Sequence, residues 1–188
     1  MPPSAPTPPP PPPPKNKPLW ENRFFRPSPL DLLSELPKSA STLAEALRTG
    51  LTSPPRFVER LAWQGIPWRW SFVFTPNPAT EPAAAKLAGL SIYLIPSPIK
   101  LEVALALPDA SLSLVLAKKQ PKALKETLAA ASLVGLQRFV TWGPSAKAHT
   151  DEILALVDQV LLLATPKPES KQDSRSDAKA ASKPDSKR

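Results

Sequence analysis

The sequence predicts an α+β domain: N-terminal helices, then a mainly antiparallel four-stranded sheet with interspersed helices, set between disordered N- and C-terminal tails. Three observations carry this. Apolar residues recur at helical spacing as far as about Leu61, the period shortens to two at Pro67, and proline and charge crowd into both ends of the chain. The boundaries follow as a polyproline tail at 1–18, a single domain at 19–165, and an alternating-charge tail at 166–188. The middle portion of roughly 145 residues is long enough to bury a hydrophobic core without staples.

The elements follow in order. Ser28-Pro29 ahead of Leu30, Leu32, Leu33 and Leu36 predicts a capped helix ended by Pro37. Ser39 or Ser41 caps a second helix carrying Leu43, Ala44, Ala46 and Leu47, with Gly50 as its stop. Ser53-Pro54-Pro55 opens a third, with Phe57, Val58 and Leu61 at helical spacing. From Pro67, the alternation of Trp68, Trp70, Phe72 and Phe74 with Arg69, Ser71 and Val73 predicts a half-buried strand with four rings on one face. A Pro- and Ala-rich loop from Thr75 to Ala88, with a helical turn at 83–87, leads to a strand at Leu90 to Ile95. Pro96-Ser97-Pro98 turns the chain into a third strand from Ile99 to Leu105. Helices are expected over Ala110 to Lys118 and from Pro121 to about Leu133, then a fourth strand over Leu136, Arg138, Val140 and Trp142 closed by Gly143-Pro144. A last helix runs from a Thr150 cap to Ala164, with Ile153, Leu156, Val157, Val160 and Leu161 on one face.

Composition narrows the function classes. Without cysteine there is neither disulfide nor thiolate metal site, and a reducing, cytoplasmic setting is the expectation. Polyproline cannot serve as the apolar helix of an export signal. No run of about 20 apolar residues is present to span a bilayer, so no membrane partner is expected. The net charge of +8 divides as +2 in residues 1–18, +3 in the middle and +3 from Lys167 onward, so the folded part is nearly balanced. In the C-terminal tail, bases recur every four residues from Lys167 to Lys187 with Glu169, Asp173, Asp177 and Asp185 between them. That makes it a polyampholyte rather than a cationic arm. Pro8 to Pro14 form a polyproline II rod, read either as a stiff spacer or as the docking segment for a protein partner with an aromatic groove.

The order of elements carries a resemblance. Trp63, Trp68 and Trp70 precede the strand Ser91-Ile92-Tyr93-Leu94-Ile95-Pro96. Ile99 to Leu105, Lys122-Ala123-Leu124-Lys125-Glu126, a short strand at Arg138 to Thr141 and a final helix follow. From about Phe57 to Leu163 this layout resembles an uncharacterised family of small bacterial α+β domains, the YdhG-like group. The resemblance implies the layout and no activity. Arg69 stands where a glycine is expected just before Trp70.

Chemistry is sparse. The sole histidine, His149, has no second histidine or cysteine to share a metal, and no nucleophile elbow accompanies it. Five glycines form no phosphate-cradling loop. Neither an enzyme nor a cofactor is expected. The leading reading is a non-enzymatic domain that binds a partner protein or an apolar small ligand through its aromatic sheet face, with Trp68, Trp70 and Tyr93 as contacts. The alternative is a weak nucleic-acid binder using Lys118, Lys119, Lys122 and Lys125 together with the basic tails. The tails hold too little apolar surface to offset ordering entropy. Limited proteolysis should therefore leave a fragment of about Leu19 to Thr165 that melts within a few degrees of the full chain, as read by circular dichroism.

Overall fold

The computed structural model describes residues 18–54, 56–80, 89–118 and 121–164. The expected helical turn at 83–87 and, apart from Pro18, both tails lie outside these residues. The first described element is a 3-10 turn, Leu19–Glu21, whose Leu19 and Trp20 amides donate to the Glu35 carboxylate at 2.6 and 3.3 Å. Helix α1, Pro29–Ser34, starts as expected. Asp31 N–H donates to Ser28 Oγ, and Ser28 N–H donates back to the Asp31 carboxylate, each at 3.2 Å. This reciprocal pair satisfies two amides that the first turn leaves open.

Helix α2, Lys38–Thr52, begins directly after Pro37 and runs through Gly50. Gly50 is a packing residue rather than a stop: a Cβ there would meet the Leu154 side chain at 2.6 Å. The third helix expected after Pro55 is instead a strand, β1, Phe57–Trp63. It pairs antiparallel with β2, Trp70–Pro76, from Phe57 opposite Pro76 to Trp63 opposite Trp70. Phe57, Val58 and Leu61 fit a helix, but Phe57, Glu59, Leu61 and Trp63 also fit a strand face, and pairing with β2 decides between them. Arg48 of α2 fastens that face by donating to both oxygens of Glu59 at 3.0 and 2.7 Å, its guanidinium 4.8 Å from the centre of the Phe72 ring.

The remaining elements are β3, Ser91–Pro96; β4, Leu101–Pro108; α3, Asp109–Leu116; α4, Lys122–Ala129; β5, Ser132–Val134; β6, Gln137–Trp142; and α5, Lys147–Ala164. The sheet has six strands in the order β1-β2-β3-β4-β6-β5, every neighbour antiparallel, rather than the expected four. The two additional strands are β1 and β5. The latter occupies the end of the segment expected to be helical as far as Leu133, and Gly135, at φ +63°, turns it back so that Val134 faces Gln137. Helix α5 begins one turn before Thr150, which is buried within it and donates its hydroxyl to Lys147 O at 2.6 Å.

Registers assign the faces. Trp70, Phe72 and Phe74 share one face with Ile92 and Leu94, with Leu101, Val103, Leu105 and Leu107, and with Val140. Every buried apolar helix residue packs into the same cluster as this face, so the architecture is two layers, helices on one side of a sheet. Phe72 and Phe74 are its most enclosed rings, at 1% and 0% exposure. Replacing either with alanine should cost about 3–5 kcal/mol in urea denaturation, whereas Val58→Ala, on the exposed side of β1, should stay within about 0.5 kcal/mol.

Candidate functional site: an aromatic cluster on the second sheet face

The second face carries residues of opposite phase: Val73 on β2, Tyr93 and Ile95 on β3, Ala104 and Ala106 on β4, and Phe139 on β6. Val73, Ile95, Ala104 and Ala106 are buried yet belong to no part of the helix-covered core. Tyr93 lies between Val73 and Ala104, and Phe139 is opposite Ala106. Large rings thus have small neighbours over which they can lean.

Trp68 completes this face. Four rings on one face would require Trp68 to share the side of Trp70, and it does not. Strand β2 begins at Trp70, and Arg69 adopts φ +51°, a left-handed conformation that breaks the alternation between the two tryptophans. The Trp68 ring lies 4.9 Å from Tyr93 and 5.7 Å from Phe139, centroid to centroid, and Tyr93 and Phe139 are 6.5 Å apart. All three are half-buried. Beneath them the Ser71 hydroxyl, fully buried, donates to Trp68 O at 2.7 Å and so holds the turn against the sheet.

Of the three expected contacts, Trp68 and Tyr93 therefore meet, while Trp70 faces the helices. Its ring is 8% exposed, stands edge-on to Trp63 at 5.9 Å, and donates Nε1–H to Asn22 O at 2.8 Å. Phe139 is the contact that sequence reasoning missed. It lies out of phase with Leu136, Arg138, Val140 and Trp142, just as Tyr93 lies out of phase with Ile92 and Leu94, and that shared offset is the signal that identifies it.

Arg69 ties the turn to the N-terminal segment. Its guanidinium is paired with the Glu21 carboxylate and lies 4.2 Å from the centre of the Trp20 ring. The amide of Arg69 donates to Gly65 O, and its carbonyl accepts from Gln64 N–H at 2.8 Å.

The lysines are spread over two helices. Lys118 follows α3, Lys122 and Lys125 belong to α4, and Lys119 lies outside the described residues. The first three are exposed, and Lys122 Nζ is 3.9 Å from Glu126. His149, in the first turn of α5, lines a separate groove of about 190 Å³ with Leu124, Trp142, Glu152 and Ile153. Its Nδ1 accepts from Ser145 N–H at 3.3 Å and lies 3.4 Å from Ser145 Oγ. Among the described residues no carboxylate hydrogen-bonds to the ring, and no three His, Asp or Glu side chains converge as a metal site would require. No helix of the described residues is long and apolar enough to cross a membrane.

Fold and site together define a two-layer α+β domain with an aromatic cluster on the face opposite its helices. No family model, curated protein or solved structure matches the chain.

The conformation of Arg69 yields a specific comparison. Arg69→Ala and Arg69→Gly both remove the contacts to Glu21 and Trp20, but only glycine relieves the left-handed backbone. Arg69→Gly should therefore be more stable than Arg69→Ala by about 1 kcal/mol in chemical denaturation.

Proposed function

We propose that this is a non-enzymatic binding domain whose site is the surface made by Trp68, Tyr93 and Phe139, and that it takes an apolar small ligand or an apolar segment of a partner protein. The observation that supports this is the placement of Trp68. A turn residue with no role in the main core is held across two sheet aromatics, and all three rings keep part of their area exposed. Grouped aromatic rings of this kind supply large contact area at little cost in side-chain freedom, which is what an apolar site needs. Scattered single hydrophobic residues would carry no such meaning.

Ligand-observed NMR with a panel of aromatic and aliphatic fragments provides the test, run on the natural chain, Trp68→Ala and His149→Ala. Fragments that bind the natural chain should lose at least tenfold in affinity to Trp68→Ala and retain it for His149→Ala. Fragments indifferent to Trp68 and lost on His149→Ala would move the site to the α4–α5 groove.

A further inference from the structure

We infer that the ligand of the aromatic surface is an apolar carboxylic acid, its ring body on Trp68, Tyr93 and Phe139 and its carboxylate on Arg60. The inference rests on the site proposed above and names the class of molecule it takes. Arg60 stands apart from four other arginines of the chain. Arg48, Arg56, Arg69 and Arg138 each pair with a carboxylate, on Glu59, Asp158, Glu21 and Asp109 respectively. Arg60 is exposed, and among the described residues its guanidinium has neither a hydrogen bond nor an ion pair. A guanidinium binds a carboxylate through two parallel N–H···O bonds, which a neutral or cationic headgroup cannot reproduce.

The register brings Arg60 to the site. It lies opposite Val73, and Val73 lies opposite Tyr93, so the three stand in one row across β1, β2 and β3 on the second face. Two strand spacings, about 10 Å, separate the backbones of Arg60 and Tyr93, and Val73 between them is buried. An arginine side chain is long enough to span much of that interval. Arg60 is the one cation that the six strands place on this face, since Arg138 lies on the other, opposite Leu107. The one strand acid of this face, Glu102, is taken by Lys100 Nζ at 2.7 Å. The rings therefore stand beside a positive charge that no strand residue compensates. Trp68 Nε1–H and Tyr93 Oη–H, neither with an acceptor among the described residues, add two further donors for an anion's oxygens. The three ring centres lie within 6.5 Å of one another, the footprint of one ring-sized body rather than of a peptide segment. Ring and acid are then joined by a short chain, as in an arylalkanoic acid.

The test titrates phenylpropionate, phenylpropionamide and phenylpropylamine, which share a ring and a chain length, into the full-length protein and follows amide chemical shifts by NMR. The acid should bind about tenfold more tightly than the amide, and the amine more weakly than the amide. Added salt should erode the acid's advantage over the amide. Arg60→Gln should bring the acid down to the amide's affinity while leaving the amide's affinity and the melting temperature unchanged. Arg60→Lys, which keeps the charge and loses the fork, should retain part of the preference. Trp68→Ala should weaken acid and amide alike. Equal affinity of acid and amide for the natural chain, or a preference that survives Arg60→Gln, would overturn the acid as ligand. In either case amide binding lost on Trp68→Ala would still uphold the site itself. An acid preference indifferent to Trp68→Ala would overturn the joint seat on Arg60 and the rings, and no binding of any probe would overturn both readings.

Discussion

Extended backbone obliges residues two apart to share a face, and Trp68 and Trp70 are two apart. They reach opposite faces because Arg69 between them is left-handed, with φ +51°. For a residue with a Cβ that conformation costs on the order of 1 kcal/mol. Its side chain supplies the offset: a half-exposed ion pair with Glu21 contributes up to about 1 kcal/mol, and the guanidinium on Trp20 about 0.5–1 kcal/mol. The two sides nearly balance, so the N-terminal segment offsets the strain at Arg69, while the Ser71 hydroxyl on Trp68 O and Gln64 N–H on Arg69 O also hold the turn. That segment is held in turn by the Glu35 carboxylate at the amides of Leu19 and Trp20. One of the sets of contacts that place Trp68 thus runs from α1, through the 3-10 turn, to Arg69.

The two faces differ in what their sequences ask for. On the helix side β1, β2, β3, β4 and β6 contribute large apolar residues, and five helices supply a matching layer. On the other side β4 contributes Ala104 and Ala106 where the first face has Val103, Leu105 and Leu107. Small residues in the central strand leave room above the sheet, and Tyr93, Phe139 and Trp68 lean into it from its neighbours and from the turn. Close packing requires that such space be filled, and here side chains from three separate segments fill it.

Much of the fold could be read from the sequence because its signals are local. The Ser28-Pro29 cap, the alternation in Ile92, Leu94, Val103 and Leu105, and the apolar face of α5 each specify their element within a few residues. β1 was not legible for a physical reason: Phe57, Val58 and Leu61 satisfy both periods, and what selects the strand is the partner β2, seven residues beyond its end. β5 is too short to show a period, and it exists because Gly135 permits a turn onto β6. The site was half legible for a related reason. Trp68 and Trp70 look equivalent in an alternating pattern, and only a conformation that no neighbouring residue advertises separates them. A glycine at residue 69 would have signalled the break; an arginine conceals it, because its tolerance of a left-handed backbone comes from Trp20 and Glu21, nearly fifty residues away.

Whether the second-face rings are a minor core or a docking surface turns on what their exposed area is worth. Phe72 and Phe74 show how completely this fold buries a ring when it has a layer to cover it. Trp68, Tyr93 and Phe139 remain half-buried, which leaves roughly 50 Å² exposed on each. At about 25 cal/mol per Å², covering all three yields at most about 4 kcal/mol. In bimolecular terms that corresponds to a dissociation constant on the order of 1 mM, before the cost of ordering the ligand. An occupant arriving from solution would hold such a surface only fleetingly without further contacts. The indole Nε1–H of Trp68 and the hydroxyl of Tyr93, neither with an acceptor among the described residues, are donors that can supply them. The modest area of the surface thus suits an apolar contact completed by hydrogen bonds, and not a site that holds its occupant by burial alone.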